Sequence, residues 1–531
     1  MENFVSLPSK PNKDEEKQRI TLGVSVLILL VLGFWVHSRW HVWFGNPEEP
    51  AYLPLNAPGR VLLTFGDKEE LSRNISWQYD SVVASSSFVE LIDTLAKDTL
   101  RIEAKGEVFQ SRSGKAAYYT ARLRSLKPAT FYSYRVSNNG KYSPWYNFHT
   151  YNQTTRNDYS FIYVGDVQDT INGKANQYLK EALQAHPKTE FFVFGGDLTE
   201  RPMDSYWAET FSGLDSIGQY YPVLNVTGNH EYLKYAIRKL ERRFPLVFSY
   251  FQDSMVGDNQ VYTLRYNDLQ LFLLDSNREF FYLWSQKEWL EKELQTSDAR
   301  WKIVVLHHPL YSVKGKYNNL AQKTIFNSLI QKYNVDLVLQ GHEHAYARMT
   351  LHDEQGSATP PVYTVSHCSP KSYRITFNQR FDKYGIESRY YQYIRIHGDT
   401  LSMSTYEVPA GNLYDSLDIV KSGVKPMIID HGKNVSIRST TGIKPLYTTI
   451  ATVTMNLIVS AAIVLLNPYV TVYISYKIPP FALSVHIPDV STSIYVEVDS
   501  KVLLGLPFCD KASGRLHHSG TPLGLHRVPY R

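Results

Sequence analysis

Five short apolar runs in this 531-residue chain each end in a small cluster of metal-type ligands. In order they are Phe161-Ile-Tyr-Val-Gly-Asp166, Phe191-Phe-Val-Phe-Gly-Gly-Asp197, Val223-Leu-Asn-Val-Thr-Gly-Asn-His230, Ile303-Val-Val-Leu-His-His308 and Val335-Asp-Leu-Val-Leu-Gln-Gly-His342-Glu-His344. Runs of this length rich in Val, Phe and Ile read as buried strands, and ligand sites in open α/β sheets collect just beyond the strand ends. The pattern therefore aims Asp, Asp, Asn-His, His and His-x-His at one place. Taken singly, each cluster has a plainer reading: an Asp or Asn after a strand is usually a turn former. Independent placement of all five by chance is the weaker explanation.

The intervals from Asp166 to Asp197 and from Asp197 to Asn229 are each about thirty residues, one β-α-β unit. Such spacing returns successive strand ends to the same edge of a sheet. Helical spacing from Lys174 to Ala185 and an apparent capping box, Ser285-Gln-Lys-Glu288, supply helices between strands over residues 157–420. Upstream, residues 58–150 carry short strands without a helical period, among them Arg60–Phe65, Asn74–Gln78, Ala117–Leu123 and Phe131–Val136, with a tight-turn signal at Asn138-Asn-Gly140. That pattern predicts a small all-β sandwich.

Two further stretches concern membranes. Ile20–Val36 is uncharged and apolar and runs on through the Trp-rich segment to Phe44, so residues 20–44 are long enough to span a bilayer. Lys10, Lys13, Lys17 and Arg19 precede it and Arg39 follows, which puts residues 1–19 in the cytoplasm as a tail and the rest outside, in a periplasmic, extracellular or lumenal space. A cleaved signal peptide is the rival, opposed by the long charged leader and the absence of a small-x-small site. Residues 448–474 are a candidate second transmembrane segment, and residues 477–531 form a tail without legible function. Four Asn-x-Ser/Thr sequons, at Asn74, Asn152, Asn225 and Asn434, fall between the two segments and give weak support to export. The net charge of +5 is small for this length and gives no reason to expect nucleic acid as a structural partner. Two cysteines, Cys368 and Cys509, exclude a disulfide framework. Oligomeric state is not legible.

The ordered blocks resemble the calcineurin-like metallophosphoesterase superfamily, whose motifs run GD, GD, GNH, H and GHxH. Gly228-Asn-His-Glu231, Val304–His307 and Gly341-His-Glu-His-Ala-Tyr-Ala-Arg348 resemble its purple acid phosphatase branch, and residues 58–150 resemble that branch's fibronectin-III-like N-terminal domain. The resemblance covers about residues 58–420. It implies a four-layer αββα metallophosphoesterase sandwich, preceded by the all-β sandwich and one or two transmembrane helices. It also implies two metal ions, drawn from Fe, Mn or Zn. Asp197 would bridge them, Asp166 and His344 would hold the first, and Asn229, His307 and His342 the second. His308 fits the Val-x-x-His pattern as well, from Val305; the family's spacing to Pro309 favours His307. Two departures stand out. Glu200 occupies the place of the tyrosine that colours the purple enzymes, and Gln168 replaces a glycine of the first block, so either side chain is a candidate extra ligand of the first metal.

The activity so implied is phosphomonoester hydrolysis by a metal-bridging hydroxide, with His230 protonating the leaving oxygen, on a membrane-anchored enzyme facing away from the cytoplasm. Lys316 is a candidate contact to the substrate phosphate. Two alternatives remain open at this stage. One is phosphodiester or nucleotide hydrolysis on the same site; the other is a surface-binding protein whose phosphatase domain no longer turns over.

Overall fold

In the computed structural model, the described residues are 13–67, 69–151, 157–235, 237–251, 256, 260–315, 319–376, 380–423 and 425–432. The expected segment at 448–474 and the tail from 477 lie outside them. The chain divides after Ser38, where the apolar N-terminal stretch gives way to a unit that begins at Arg39. The helix Lys13–Phe44 contains one stretch, Lys17–Phe44, that is long and apolar enough to cross a membrane, and none of its most apolar part is buried.

Residues 59–149 form two antiparallel sheets, one of four strands and one of five. The expected strands are present as Gly59–Thr64, Arg73–Gln78, Lys115–Leu123 and Phe131–Asn138. Inward residues alternate along them, and Trp77 stacks on Tyr119 at 5.5 Å in the shared core. The hairpin at 138–141 turns through Asn139 and Gly140, both at positive φ (47° and 80°), as its sequence predicts. This domain is fastened to the next by Asn74, whose side-chain amide donates to the Ser249 carbonyl at 2.6 Å, and by Tyr134, whose hydroxyl donates to Gln219 O at 2.7 Å. Asn74 and Asn225 are both buried, so two of the four sequons are closed to glycan addition.

The following domain is built on two seven-stranded sheets. In the first, Val223–Asn225, Thr189–Phe194 and Asp158–Val164 run parallel, and the antiparallel strands Arg389–His397, Thr400–Val408, Asn412–Val420 and Met427–Asp430 extend it. The last of these lies past the expected boundary at 420. In the second, Leu269–Leu273, Trp301–Leu306, Leu337–Gln340 and Ala358–Val365 run parallel between antiparallel edge strands. The sheets meet through aromatic rings: Phe161 stacks on Phe191 at 5.0 Å, and Phe191 meets Tyr266 of the second sheet at 4.9 Å.

Leu271, Ile303 and Leu337 join that inner core, while the alternate residues Phe272, Val304 and Val338 turn to the other side. There they pack on Trp289 and Leu290 of the helix Phe280–Thr296 and on Phe326 and Leu329 of the helix Leu320–Lys332. The period-two alternation of these strands is thus satisfied on both faces. The Phe280–Thr296 helix differs from expectation. It begins five residues before Ser285, with Glu279 as its N-cap residue, and Ser285 Oγ donates to Tyr282 O inside the second turn.

Candidate metal centre

Three parallel strands of the first sheet deliver Asp166, Asp197 and Asn229 at their carboxyl ends, and two of the second deliver His307 and the His342–His344 pair. One carboxylate oxygen of Asp197 and one ring nitrogen each of His307 and His342 lie within 4.8 Å of one another. His307 Nε2 is the hub: it stands 3.3 Å from Asp197 Oδ2, 3.2 Å from Asn229 Oδ1 and 3.2 Å from His342 Nδ1. Beside this group, His344 Nε2 lies 3.5 Å from Asp166 Oδ1. The imidazole of His308 packs on the His342 ring at 4.3 Å but directs Nδ1 to Ser276 Oγ, 3.1 Å away. Of the two adjacent histidines, His307 is therefore the one that enters the cluster.

The backbone is bent at the ligands. Asp166, Gln168, Asp197, His342 and His344 all have left-handed φ, between 26° and 72°. This region costs a non-glycine residue about 1 kcal/mol or more. The glycines beside them allow close approach, for a Cβ at Gly228 would strike the Asp197 carboxylate and one at Gly341 would strike Asp166.

Two buried glutamates hold these loops. Glu231 accepts amide hydrogens from Asp197 (3.1 Å), Leu198 (2.8 Å), Thr199 (3.3 Å) and Gly228 (2.6 Å). Glu343, between the two histidines, accepts Ser312 Oγ–H and the Val313 amide, both at 2.6 Å. Burial, followed by the Asp197 charge, pushes Glu231 up to about 7 in spite of its amide donors. Burial likewise raises Glu343.

The electrostatics match a cation site. Burial alone would raise Asp197, yet the neighbouring His307 and His230 hold its carboxyl well below the usual range. Burial opposes protonation of His307, and the Asp197 carboxylate overrides it and lifts the ring to about 9. His342 is driven down by burial and by the His307 charge, which leaves it a neutral nitrogen ligand. In the buried first half of the site, Asp166 Oδ1 and both amide atoms of Gln168 have no hydrogen-bond partner among the described residues. Buried polar atoms are normally satisfied, so a donor set of carboxylates, imidazoles and amides with orphaned oxygens fits a metal ion. Oxygen and imidazole ligands suit Zn, Mn and Fe alike.

His230 sits at the rim, with Nε2 3.9 Å from Asp197 Oδ2 and its backbone amide 2.8 Å from Asp197 Oδ1. Nδ1 is 2.5 Å from the Glu200 carbonyl, a contact that gives Nδ1 the proton when the ring is neutral and leaves Nε2 toward the site. Glu200 itself is spent elsewhere: its Oε2 accepts from Lys371 Nζ at 2.5 Å. Lys316 lies outside the described residues. Two residues before it, Lys314 places Nζ 3.5 Å from the His342 carbonyl and 3.9 Å from the Tyr373 ring centre. Tyr373 in turn stacks on His344 at 4.2 Å. Sequence reading did not single out Lys314, Lys371, Tyr373 or Glu343. Glu343 carried a usable signal, an acid wedged between two ligands; the other three sit in loops whose course no local pattern fixes.

Residues 159–346 match the calcineurin-like phosphoesterase family, and residues 58–150 match the purple acid phosphatase N-terminal domain. Among curated relatives, the phosphoenolpyruvate phosphatase of Allium cepa is 26% identical over 324 residues, covering 55% of this chain and 63% of that protein. The Fe(3+)-Zn(2+) purple acid phosphatase 12 of Arabidopsis thaliana is 25% identical over 312 residues, covering 55% of this chain and 65% of its own length. The chain thus spans less than two thirds of the length of either relative. Among solved structures, that of PhoD covers 79% of this chain and 99% of its own at a TM-score of 0.53 and 14% identity, a likeness of fold. The chain carries a calcineurin-like metallophosphoesterase domain behind a purple acid phosphatase N-terminal domain, and its relatives include the purple acid phosphatases.

Proposed function

We propose that the protein is a dinuclear metal-dependent phosphoesterase that hydrolyses phosphomonoesters, on the four-layer αββα arrangement its two sheets and flanking helices support. The observation that carries this reading is the meeting of Asp197, His307 and His342 within 4.8 Å, beside the Asp166–His344 pair. Asn229, His307 and His342 would hold one ion, Asp166, His344 and Gln168 the other, with Asp197 between them. Bound as a pair, such cations supply Lewis acidity toward a phosphate oxygen and acidify a water. A relative named for an Fe(3+)-Zn(2+) pair supports iron and zinc among the candidates.

The chain's own residues supply the remainder. Glu231 and Glu343 fix the loops so that the ligands do not reorganise when substrate arrives. His230, held through Nδ1 by the Glu200 carbonyl, presents Nε2 to the leaving oxygen and, as the doubly protonated imidazolium, gives it the Nε2 proton as the ester bond breaks, leaving the neutral ring with its proton on Nδ1. Lys314 brings positive charge to the rim, where a phosphate dianion is favoured over a diester monoanion. The Lys17–Phe44 stretch supports a membrane anchor with the enzyme domain outside the cytoplasm.

The test is metal analysis of the purified full chain, joined to turnover of p-nitrophenyl phosphate and bis-p-nitrophenyl phosphate with Asp197→Ala as control. Metal near two equivalents and monoester turnover lost in the variant is the expected result. A faster diester reaction would move the substrate class, and equal activity in Asp197→Ala would sink the mechanism.

A further inference from the structure

Around Asn46, the surface of the unit that begins at Arg39 is both apolar and basic. Asn46, two residues past the end of the helix Lys13–Phe44, exchanges two hydrogen bonds with Lys234. Its Nδ2 donates to the Lys234 carbonyl and the Lys234 amide donates to its Oδ1, each at 2.7 Å. Lys234 lies in the hairpin between Tyr232–Leu233 and Lys239–Leu240, where Tyr235 is 49% and Ile237 55% exposed.

One residue on, the Arg238 amide donates to Glu279 Oε1 at 2.7 Å and its guanidinium to Asn277 O at 3.2 Å. Those contacts bring up the first turns of the Phe280–Thr296 helix. Phe280, Phe281 and Trp284 stand out there at 52%, 59% and 47% exposure, while Leu283, Trp289 and Leu290 on the other side are buried. The hairpin is thus tied on one side to Asn46 and on the other to the start of this second helix.

Five large apolar side chains exposed on this hairpin and the first turns of the adjoining helix are a poor surface for water. Lys234, Arg238 and Lys239 are exposed among them, and Lys287 lies 4.6 Å over the Trp284 ring. The nearby acids are engaged: Glu279 takes the Arg238 amide, and Glu288 takes the Trp284 indole N–H at 3.1 Å. Aromatic rings with interspersed lysine and arginine are the composition of a protein surface at the lipid headgroup level. A protein partner would also accept apolar side chains. Continuity decides between them, because the chain reaches this strip straight from a stretch of membrane-spanning length, Lys17–Phe44.

We propose that the strip formed by Tyr235, Ile237, Phe280, Phe281 and Trp284 lies on an anionic lipid surface and docks the phosphoesterase domain onto the bilayer. The proposal rests on reading the N-terminal helix as an anchor.

The test uses the full chain in phosphatidylcholine–phosphatidylserine vesicles doped with nitroxide lipid. A bimane label is placed at Phe281→Cys or at Asp298→Cys, in a Cys509→Ser background; Cys368 is buried. Asp298 is exposed and precedes the strand Trp301–Leu306, at the opposite end from His307. Quenching at 281 should exceed that at 298 by at least about twofold, and adding Ile237→Asp with Trp284→Asp should remove the difference. Equal quenching at the two positions overturns the proposal and leaves a protein partner as the occupant. Resistance to alkaline carbonate extraction reports the anchor separately: release of the chain sinks the anchor reading, and quenching at 281 then decides the strip by itself.

Discussion

Glu200 Oε2 accepts a hydrogen bond from Lys371 Nζ at 2.5 Å, at the very position where the purple enzymes resembled by this chain have a tyrosine. Both side chains are partly exposed, at 22% and 47%. A pair of this kind contributes about 0–1 kcal/mol. Glu200→Gln is therefore expected to change metal content and kcat/KM by less than about fivefold. Gln168→Ala, which removes a buried amide with no other partner, should lower the metal content toward one equivalent. Elemental analysis of the two variants side by side checks this. A Glu200→Gln protein that loses metal while Gln168→Ala keeps it would reverse the assignment.

His230 is expected to matter in proportion to how badly the leaving group needs a proton. With an alkyl phosphate, His230→Ala should lower kcat/KM by about 10²–10⁴. With p-nitrophenyl phosphate, whose phenolate leaves unaided, the loss should be at least about tenfold smaller. Equal losses on both substrates would assign His230 to binding or packing.

Glu231 accepts four buried backbone amide hydrogens, from Asp197, Leu198, Thr199 and Gly228. Removing it strands buried donors at about 1–3 kcal/mol each. Glu231→Ala should cost at least about 3 kcal/mol in denaturant unfolding and should lower metal content as well. Glu231→Gln keeps one acceptor oxygen and should fall between. Wild-type stability in the alanine variant would remove the role assigned to this carboxylate.

His186 closes the helix Ala175–Ala185 with its ring stacked on Tyr393 at 3.9 Å and its Nε2 3.2 Å from the Tyr391 hydroxyl. Burial pushes its pKa down to about 4 from the ordinary 6.5. Between those values the unfolded chain binds the extra proton. Its stabilising effect is therefore complete above pH 6.5 and lost as pH falls toward 4, with a slope of at most about 1.4 kcal/mol per pH unit from this one group. Urea unfolding across that window should be flatter in His186→Phe than in the natural protein. An NMR titration placing His186 above 6 would refute the prediction.

Much of the site was legible because its residues follow local rules. A buried strand must stop, and a glycine allows the turn into the ligand: Asp166, Asp197, Asn229 and His342 each directly follow a glycine, whereas His307 follows Leu306 and His344 comes two residues after His342. The choice between His307 and His308 was left to spacing, and it is the side chain facing Asp197 that separates them. The N-terminal strands were readable from their β-branched and aromatic residues. The strand Thr99–Glu103 was not, being mostly exposed and short of apolar alternation. The start of the Phe280–Thr296 helix escaped because its first turn is apolar and exposed, so the polar Ser285 looked like the better beginning. Lys314 and Tyr373 reach the site through loops, and loop paths are set by tertiary contacts such as Glu343 with Val313.

Arg348, four residues beyond His344, is fully buried, and its guanidinium donates to Asp415 (2.7 Å) and to Asp430 (2.8 Å) from the last two strands of the other sheet. The rim strand of the metal centre is thereby riveted to the last strand of the other sheet among the described residues. A recombinant fragment ending at 420 would retain Asp415 and lose Asp430, leaving a buried cation short of one counter-charge. A fragment that keeps this charge balance closed has to run through the strand Met427–Asp430.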